Sequence, residues 1–427
     1  MTRVYVTPDP AEPGARDITF VPGENLFTGI EEFARLGYAL SDTCSDLLLI
    51  AASVFAADRA IPRGMRENIS RKIDLSLPIR STVPLVPLVP TIQRILYRLT
   101  HDMWTLELRP TGAAPPPPLH PAPTDGTTLL FSGGLDSLAA AIEFSPSTPS
   151  MLLVSHVTRN RSVSAAQQSL SELLQSSGYS HNHWQVFVSS STSGLVGVTH
   201  DAENTQRTRS FLFLVLGAVA SIACGNSNLL FIAENGQLAI NLPLTQGRIG
   251  AFSTHTAHPQ VLVDVESLIN SATHANIRIL NPYVGLTKKE IALVVHRALP
   301  DAIPLSTSCW RNARIPPPNH CGQCVPCLVR RIALEAISHD PTAYVNDPWT
   351  EDFASLPPDD EGRRNTIDIA EFSRRFLDSP SGLLVSEFPE LLTMPIDASG
   401  IIAMYRRSSE DALSVLSRYP GLAPILR

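Results

Sequence analysis

The sequence predicts an α/β protein: a parallel sheet with helices on both faces, an α+β domain before it and a helical extension after it. Three observations carry this. Strand patterns at 127–131, 150–156, 184–189 and 228–233 alternate with helical patterns at 135–144, 162–176 and 205–224. Such alternation gives parallel strands joined by crossover helices. The first strand passes through a glycine turn, Ser132-Gly133-Gly134-Leu135-Asp136-Ser137, straight into the first helix. The chain has 427 residues, 44% of them hydrophobic, enough for two or three domains with real cores.

Residues 1–112 form the predicted α+β domain. Arg3–Thr7 and Asp17–Val21 read as strands, Ser45–Ala57 as a largely buried helix, Thr91–Leu99 as a short helix and Met103–Leu108 as an alternating strand. Pro84, Pro87 and Pro90 are expected to break the intervening chain into short extended pieces. Asp46, Asp58 and Arg59 read as solvated surface charges, with an ion pair or a partner surface as the alternative. Residues 113–126, with Pro115–Pro118, Pro121 and Pro123, read as a stiff polyproline linker.

The central domain is expected over 127–340. Two glycines let the backbone turn sharply and approach an anion closely. The free N–H groups at the start of the following helix favour phosphate there. Ser132 and Ser137 add hydroxyl donors. Asp136 beside phosphate argues for Mg²⁺ between them. A plain structural Gly-Gly turn is the alternative. The apolar run Phe211–Cys224 is too short to span a bilayer and suits a buried helix. Arg207 and Arg209 stand at its polar start, where the helix dipole disfavours cations. An anion such as phosphate, or pairing with Asp201 or Glu203, would compensate.

After the strand at 229–232, Glu234, Asn235 and Gly236 lie on a loop at a strand's C-terminal end. Glu234 is a candidate acceptor for the N–H edge of a purine-like base. The polar stretch Thr245–His258, with Arg248 and His255, reads as a substrate loop. Any one of these residues has an ordinary loop role as its alternative. Thr287 and Glu290 make a capping box, and Lys288 in that first turn either reaches towards phosphate or is a solvated surface lysine. Cys309, Cys321, Cys324 and Cys327 have the spacing C-x11-C-x2-C-x2-C, which suits a closed, structural four-sulfur Zn²⁺ site, with an iron–sulfur cluster as the alternative. Residues 341–427 read as an amphipathic helical extension, clearest at Ile367–Leu377 and Ile401–Leu416.

The net charge of −7 argues against a broad nucleic-acid surface. The N-terminus has no charged-then-apolar leader, so the expected location is cytoplasmic, without membrane contact.

The Ser-Gly-Gly-x-Asp-Ser turn resembles the PP-loop of the ATP pyrophosphatases, which cleave ATP between the α and β phosphates. Four segments fall in one order: Ser132–Ser137, Arg209–Phe213, Leu286–Ile291, and Ser308-Cys309 with the three later cysteines. That order resembles the 7-cyano-7-deazaguanine synthase (QueC) family over roughly 127–335. The resemblance implies an adenine nucleotide α-hydrolase-like fold and adenylation of 7-carboxy-7-deazaguanine by ATP. Ammonia then gives an amide, and a second activation gives a nitrile. It implies that Ser132, Gly133, Gly134, Leu135, Asp136 and Ser137 hold pyrophosphate and Mg²⁺, that Asp136, Lys288 and Arg209 are catalytic, and that the four cysteines bind Zn²⁺. The added N- and C-terminal parts resemble the enlarged QueC-like proteins of bacterial antiphage defence operons (Qat type, type IV CBASS type). That layout implies transfer to an amine on a partner protein. An ammonia-using synthase, a tRNA-modifying PP-loop enzyme and a non-catalytic binding module are the other readings.

Overall fold

Two parallel sheets organise the computed structural model, which describes residues 2–9, 18–63, 70–111, 126–148, 150–157, 161–193, 195, 203, 206–226, 229–245, 257–311, 315, 320–350 and 352–426. The predicted linker falls almost wholly outside the described residues. So do Arg248, His255 and most of the predicted substrate loop.

The N-terminal part runs β1 (Thr2–Val6), β2 (Ile18–Phe20), β3 (Leu26–Phe27), α1 (Ile30–Arg35), α2 (Asp42–Ala60), β4 (Lys72–Ile79), α3 (Thr82–Leu85), α4 (Val89–Thr100) and β5 (Met103–Pro110). Four strands pair in the order β2-β1-β4-β5, every pair parallel. The sequence reading does not anticipate β4, although it lies inside this sheet. It also expects extended pieces around the prolines, and here the structure corrects it. Pro84 and Pro90 sit in the first turns of α3 and α4, and Pro87 in the 3-10 turn Val86–Leu88 between them. A first-turn proline gives up no intrahelical hydrogen bond, and its fixed φ suits the helix.

The central part runs β6 (Thr127–Leu130), α5 (Leu135–Phe144), β7 (Met151–Val157), α6 (Arg161–Ser176), β8 (Asn182–Phe187), β9 (Ser189–Ser190), α7 (Arg209–Cys224), β10 (Leu229–Ile232), α8 (Gly236–Ile240), α9 (Pro259–Thr273), β11 (Arg278–Leu280) and α10 (Lys288–Ala298). The sheet order is β11-β10-β6-β7-β8, all parallel. The predicted α/β class is therefore observed, with β11 and α9 as elements that the pattern reading lacks. Chain order reverses between β6 and β10. Their following loops flank a crevice at the carboxyl edge, where ligands bind in such sheets.

One apolar cluster runs from the N-terminal sheet into the central one. Val54 and Phe55 of α2 belong to it together with Phe211 and Val215 of α7 and Val186 of β8. β3 and β9 also pair antiparallel, Leu26 with Ser190 and Phe27 with Ser189.

The last part comprises α11 (Val325–Ala336), α12 (Glu361–Asp378), α13 (Ser381–Glu387), α14 (Glu390–Thr393) and α15 (Ala398–Leu416). An aromatic cluster of Phe372, Phe376, Phe388 and Tyr405 closes over Ile240 and Leu242, next to α8. Leu328 and Ile332 of α11 pack with Val415 and Leu416 of α15. No helix among the described residues is long and apolar enough to cross a membrane.

Candidate active site and metal centre

The Ser132–Ser137 segment follows β6, and its last three residues form the first turn of α5. Gly133 has φ of +81°, which side chains rarely adopt. The carbonyl of Gly133 accepts from Thr307 N–H at 2.8 Å, and Gln167 Nε2 donates to the Ser132 carbonyl at 3.4 Å. Neighbouring segments thus hold the turn from outside. Inside it, the Ser132 and Ser137 hydroxyls lie 3.2 Å apart, and the Gly134 N–H points at Ser132 Oγ, 3.3 Å away.

Asp136 is buried in the first turn of α5. One oxygen pairs with Lys288 Nζ at 2.8 Å. The other accepts from Asn235 Nδ2 at 2.9 Å and from its backbone N–H at 3.3 Å. Three predicted site residues from three separated segments therefore meet. Each is placed by a helix start. Thr287 and Glu290 form the expected capping box, which fixes the first turn of α10 and hence Lys288. Asn235 caps α8, accepting from Leu238 N–H at 3.3 Å. The sequence pattern predicts a loop here, but Gly236 begins a short helix. A Cβ on Gly236 would run into the carbonyl of Val284, so the close approach of the two backbones requires glycine.

Glu234 flanks the pair. Its Oε2 is sealed from solvent and has no hydrogen-bond partner among the described residues. Burial, and then the Asp136 charge, push its carboxyl up to about 8, against the opposing pull of Lys288. It therefore holds a proton at neutral pH and offers a donor beside an acceptor. Asn281, at the end of β11, accepts from Glu234 N–H at 3.2 Å and donates to its carbonyl at 2.8 Å. Nothing in the local sequence pattern singles out Asn281. Its signal is a strand-end Asn-Pro-Tyr, which has meaning only once β11 is in place.

Arg209 is not joined to this group by any hydrogen bond. It opens α7 at the same carboxyl edge of the sheet. Its guanidinium lies over the Phe213 ring at 4.7 Å, and its Nε is buried without a hydrogen-bond partner among the described residues. Burial lowers it to about 10. α7 starts at Arg209 and not at 205 as the pattern suggests. Asp46 and Asp58 are both buried, which corrects their reading as solvated charges. Asp46 accepts from the N–H groups of Arg80 and Ser81 at 2.9 and 2.7 Å.

An apolar cleft, open to solvent, lies between α8, α10 and α11 and the α12 and α15 helices of the extension. Leu238, Val329, Ile332, Phe372 and Tyr405 give it an apolar lining, and Lys288 stands on its wall.

The four cysteines converge as expected. All are buried, and their sulfurs lie within 4.8 Å of one another. Sγ pairs 321–327 and 309–324 are 3.9 and 4.0 Å apart. A tetrahedral zinc with Zn–S of ~2.3 Å would place sulfurs about 3.8 Å apart. Backbone N–H groups of Arg311 and Cys324 point at the sulfurs of Cys309 and Cys321, 3.2 and 3.3 Å away, as suits thiolates. The donor set fits zinc and leaves no open position for chemistry.

Residues 127–338, about half of the chain, match the family described as queuosine biosynthesis protein QueC. Over 79 residues the chain is 37% identical to the 7-cyano-7-deazaguanine synthase of Methanothermobacter thermautotrophicus, a stretch covering 18% of this chain and 33% of that enzyme. The chain thus spans about a third of the curated relative that it matches. Residues 127–338 are a QueC-like domain with the PP-loop α/β fold.

Proposed function

We propose that the protein adenylates the carboxylate of a 7-deazaguanine, 7-carboxy-7-deazaguanine, and transfers the acyl group to an amine. The supporting observation is the meeting of Asp136, Lys288 and Asn235 at the head of the PP-loop, with Glu234 beside them. A carboxylate oxygen attacks the α-phosphorus of ATP and pyrophosphate leaves. The amine nitrogen then attacks the acyl carbon, AMP departs with the bonding pair, and the nitrogen loses a proton. Ser132–Ser137 would cradle the pyrophosphate with N–H and hydroxyl donors. Lys288 and Arg209 would neutralise charge that grows on it, so positioning and electrostatics supply most of the rate. The neutral Glu234 suits the alternating donor and acceptor edge of the base. Mg²⁺, when bound, would screen the phosphates. Asp136 and Ser137 are the residues to hold it, because a carboxylate bonded to Lys288 and Asn235 keeps free lone pairs. Zn²⁺ at the four cysteines would be structural.

The acceptor we favour is an amine on a partner protein, in an antiphage setting. The apolar cleft beside Lys288, walled on one side by α12 and α15 of the extension, supports a bulky acceptor. Ammonia is the second reading, favoured by the similarity to a 7-cyano-7-deazaguanine synthase. The test mixes purified protein, Mg·ATP and 7-carboxy-7-deazaguanine and assays AMP and pyrophosphate, with ammonium, with candidate partner proteins and with neither. AMP that depends on the deazaguanine supports adenylation, and a mass adduct on a protein distinguishes the two acceptors. No AMP under any of these conditions overturns the reading.

A further inference from the structure

A buried cluster of charge lies where the N-terminal sheet meets α7. Asp58, in the last turn of α2, and Thr208, the residue before α7, are both fully buried. Asp58 Oδ2 accepts from the Thr208 backbone N–H at 3.1 Å and from its hydroxyl at 3.0 Å. The other oxygen pairs with Arg71. Arg71 and Arg63 each reach Asp102, both at 2.6 Å. Two neighbours of Thr208 are tied to the same region. Arg207 donates to the Thr100 carbonyl at 3.2 Å, and Glu203 accepts from Arg63 N–H at 2.9 Å. A carboxylate that caps a helix start satisfies an orphan N–H and complements the dipole.

The next residue in the chain is Arg209. Beneath its guanidinium the Phe213 ring meets His156 edge-on at 5.2 Å, and His156 meets Phe55 of α2 at 6.0 Å. His156 Nε2 donates to the Val188 carbonyl at 2.8 Å, which fixes that ring. So α2 sets both the backbone turn that launches Arg209 and the aromatic stack beneath it. Left to itself, a cation at a helix start would swing away from the dipole into water. None of these N-terminal groups lies within the QueC-like residues.

We propose that Asp58 is a positioning residue: acting through Thr208, it fixes the first turn of α7 and thereby aims Arg209 at the phosphates of ATP. This rests on the nucleotide reading given above. The N-terminal part is then a working piece of the nucleotide site.

The test measures the Kd for Mg·ATP on the full chain for wild type, R209A, T208V, T208S, D58N and the T208V/R209A double variant, with thermal midpoints alongside. Thr208→Val removes one hydrogen bond to Asp58 and leaves the buried ion pairs intact, so it carries the test even where D58N fails to fold. R209A is expected to weaken ATP binding by roughly 10-fold or more, the loss of a charge-assisted contact. T208V is expected to weaken it several-fold, about the worth of one hydrogen bond to a charged group. T208S should restore wild-type affinity, and T208V should add nothing in the R209A background. A purely stabilising role would lower the thermal midpoint of T208V without this coupling. Weakened binding in R209A beside unchanged binding in T208V overturns the positioning role alone. Unchanged binding in R209A overturns both it and the assignment of Arg209 to phosphate.

Discussion

Asp136 has both carboxylate oxygens engaged, one by Lys288 and the other by Asn235. The pair is nearly dry, with side-chain exposures of 10% and 7%. Removing one partner leaves the other charge buried, which costs about 3–5 kcal/mol. Asp136→Asn is therefore expected to lower the thermal midpoint and to cut AMP formation by roughly 100-fold or more, from lost preorganisation; full activity in a folded D136N would contradict the mechanism. Glu234 makes a different prediction. Its carboxyl lies at about 8, above its ordinary value, because of burial and then Asp136. The folded chain then binds an extra proton between roughly pH 4.5 and 8. This stabilising share is complete below that window and is lost as pH rises through about 8. Glu234→Gln keeps the neutral shape and should flatten both the stability and the ATP-binding profile across that window. A profile unchanged by the substitution would show that Glu234 is already ionised.

At the scale of elements, helix starts do most of the placing. Asn235 caps α8, Thr287 and Glu290 box α10, and Cys324 stands at the N-cap of α11. α11 thus begins inside the cysteine cluster and carries Leu328 and Ile332 into the core shared with the extension. Structural zinc contributes folding free energy outright. The wild-type chain is expected to carry about one zinc. Cys324→Ser should lose it and fold less stably, with α11 and α15 the first helices to exchange their amides; zinc retained at full stoichiometry in C324S would rule out this ligand set. Gly236→Ala forces a methyl against the Val284 carbonyl. The expected cost is roughly 1–3 kcal/mol of overpacking, read as a fall in urea midpoint, with displacement of Asn235 and weaker ATP binding.

For the whole molecule, opposing titrations place the stability maximum. Burial lowers His156 to about 3, with help from the Arg209 charge, and lowers His183 and His258 each to about 4, with help from His181 and Arg98 respectively. All three stay neutral in the fold where the unfolded chain takes up protons. Stability should therefore fall as pH drops below about 6.5. Asp102 adds a later loss. Burial raises it, but Arg71 and Arg63 outweigh burial and hold it below its ordinary value, so its share disappears below about pH 3.9. Above about 6.5 the Glu234 effect runs the other way. The thermal midpoint is expected to peak near pH 6.5. A midpoint that stays level down to pH 5 would mean that the buried histidines are not held neutral.

The sequence by itself determined the α/β class, the PP-loop, the capping box and the cysteine quartet. Each of these is a short-range pattern: a turn, a helix start or a sulfur spacing is dictated by residues that are neighbours in the chain. Tertiary structure decided what those pieces do together. Asp136, Asn235 and Lys288 are separated by long stretches of chain and meet only because β6 and β10 lie side by side with α10 beside α5. Asp58 resembled a solvated charge because burial is not written in a residue type; it becomes visible only when the N-terminal sheet packs on α7. The three-residue β11 escapes the local pattern for the same reason, since a short strand gains most of its stability from neighbours that local sequence does not contain.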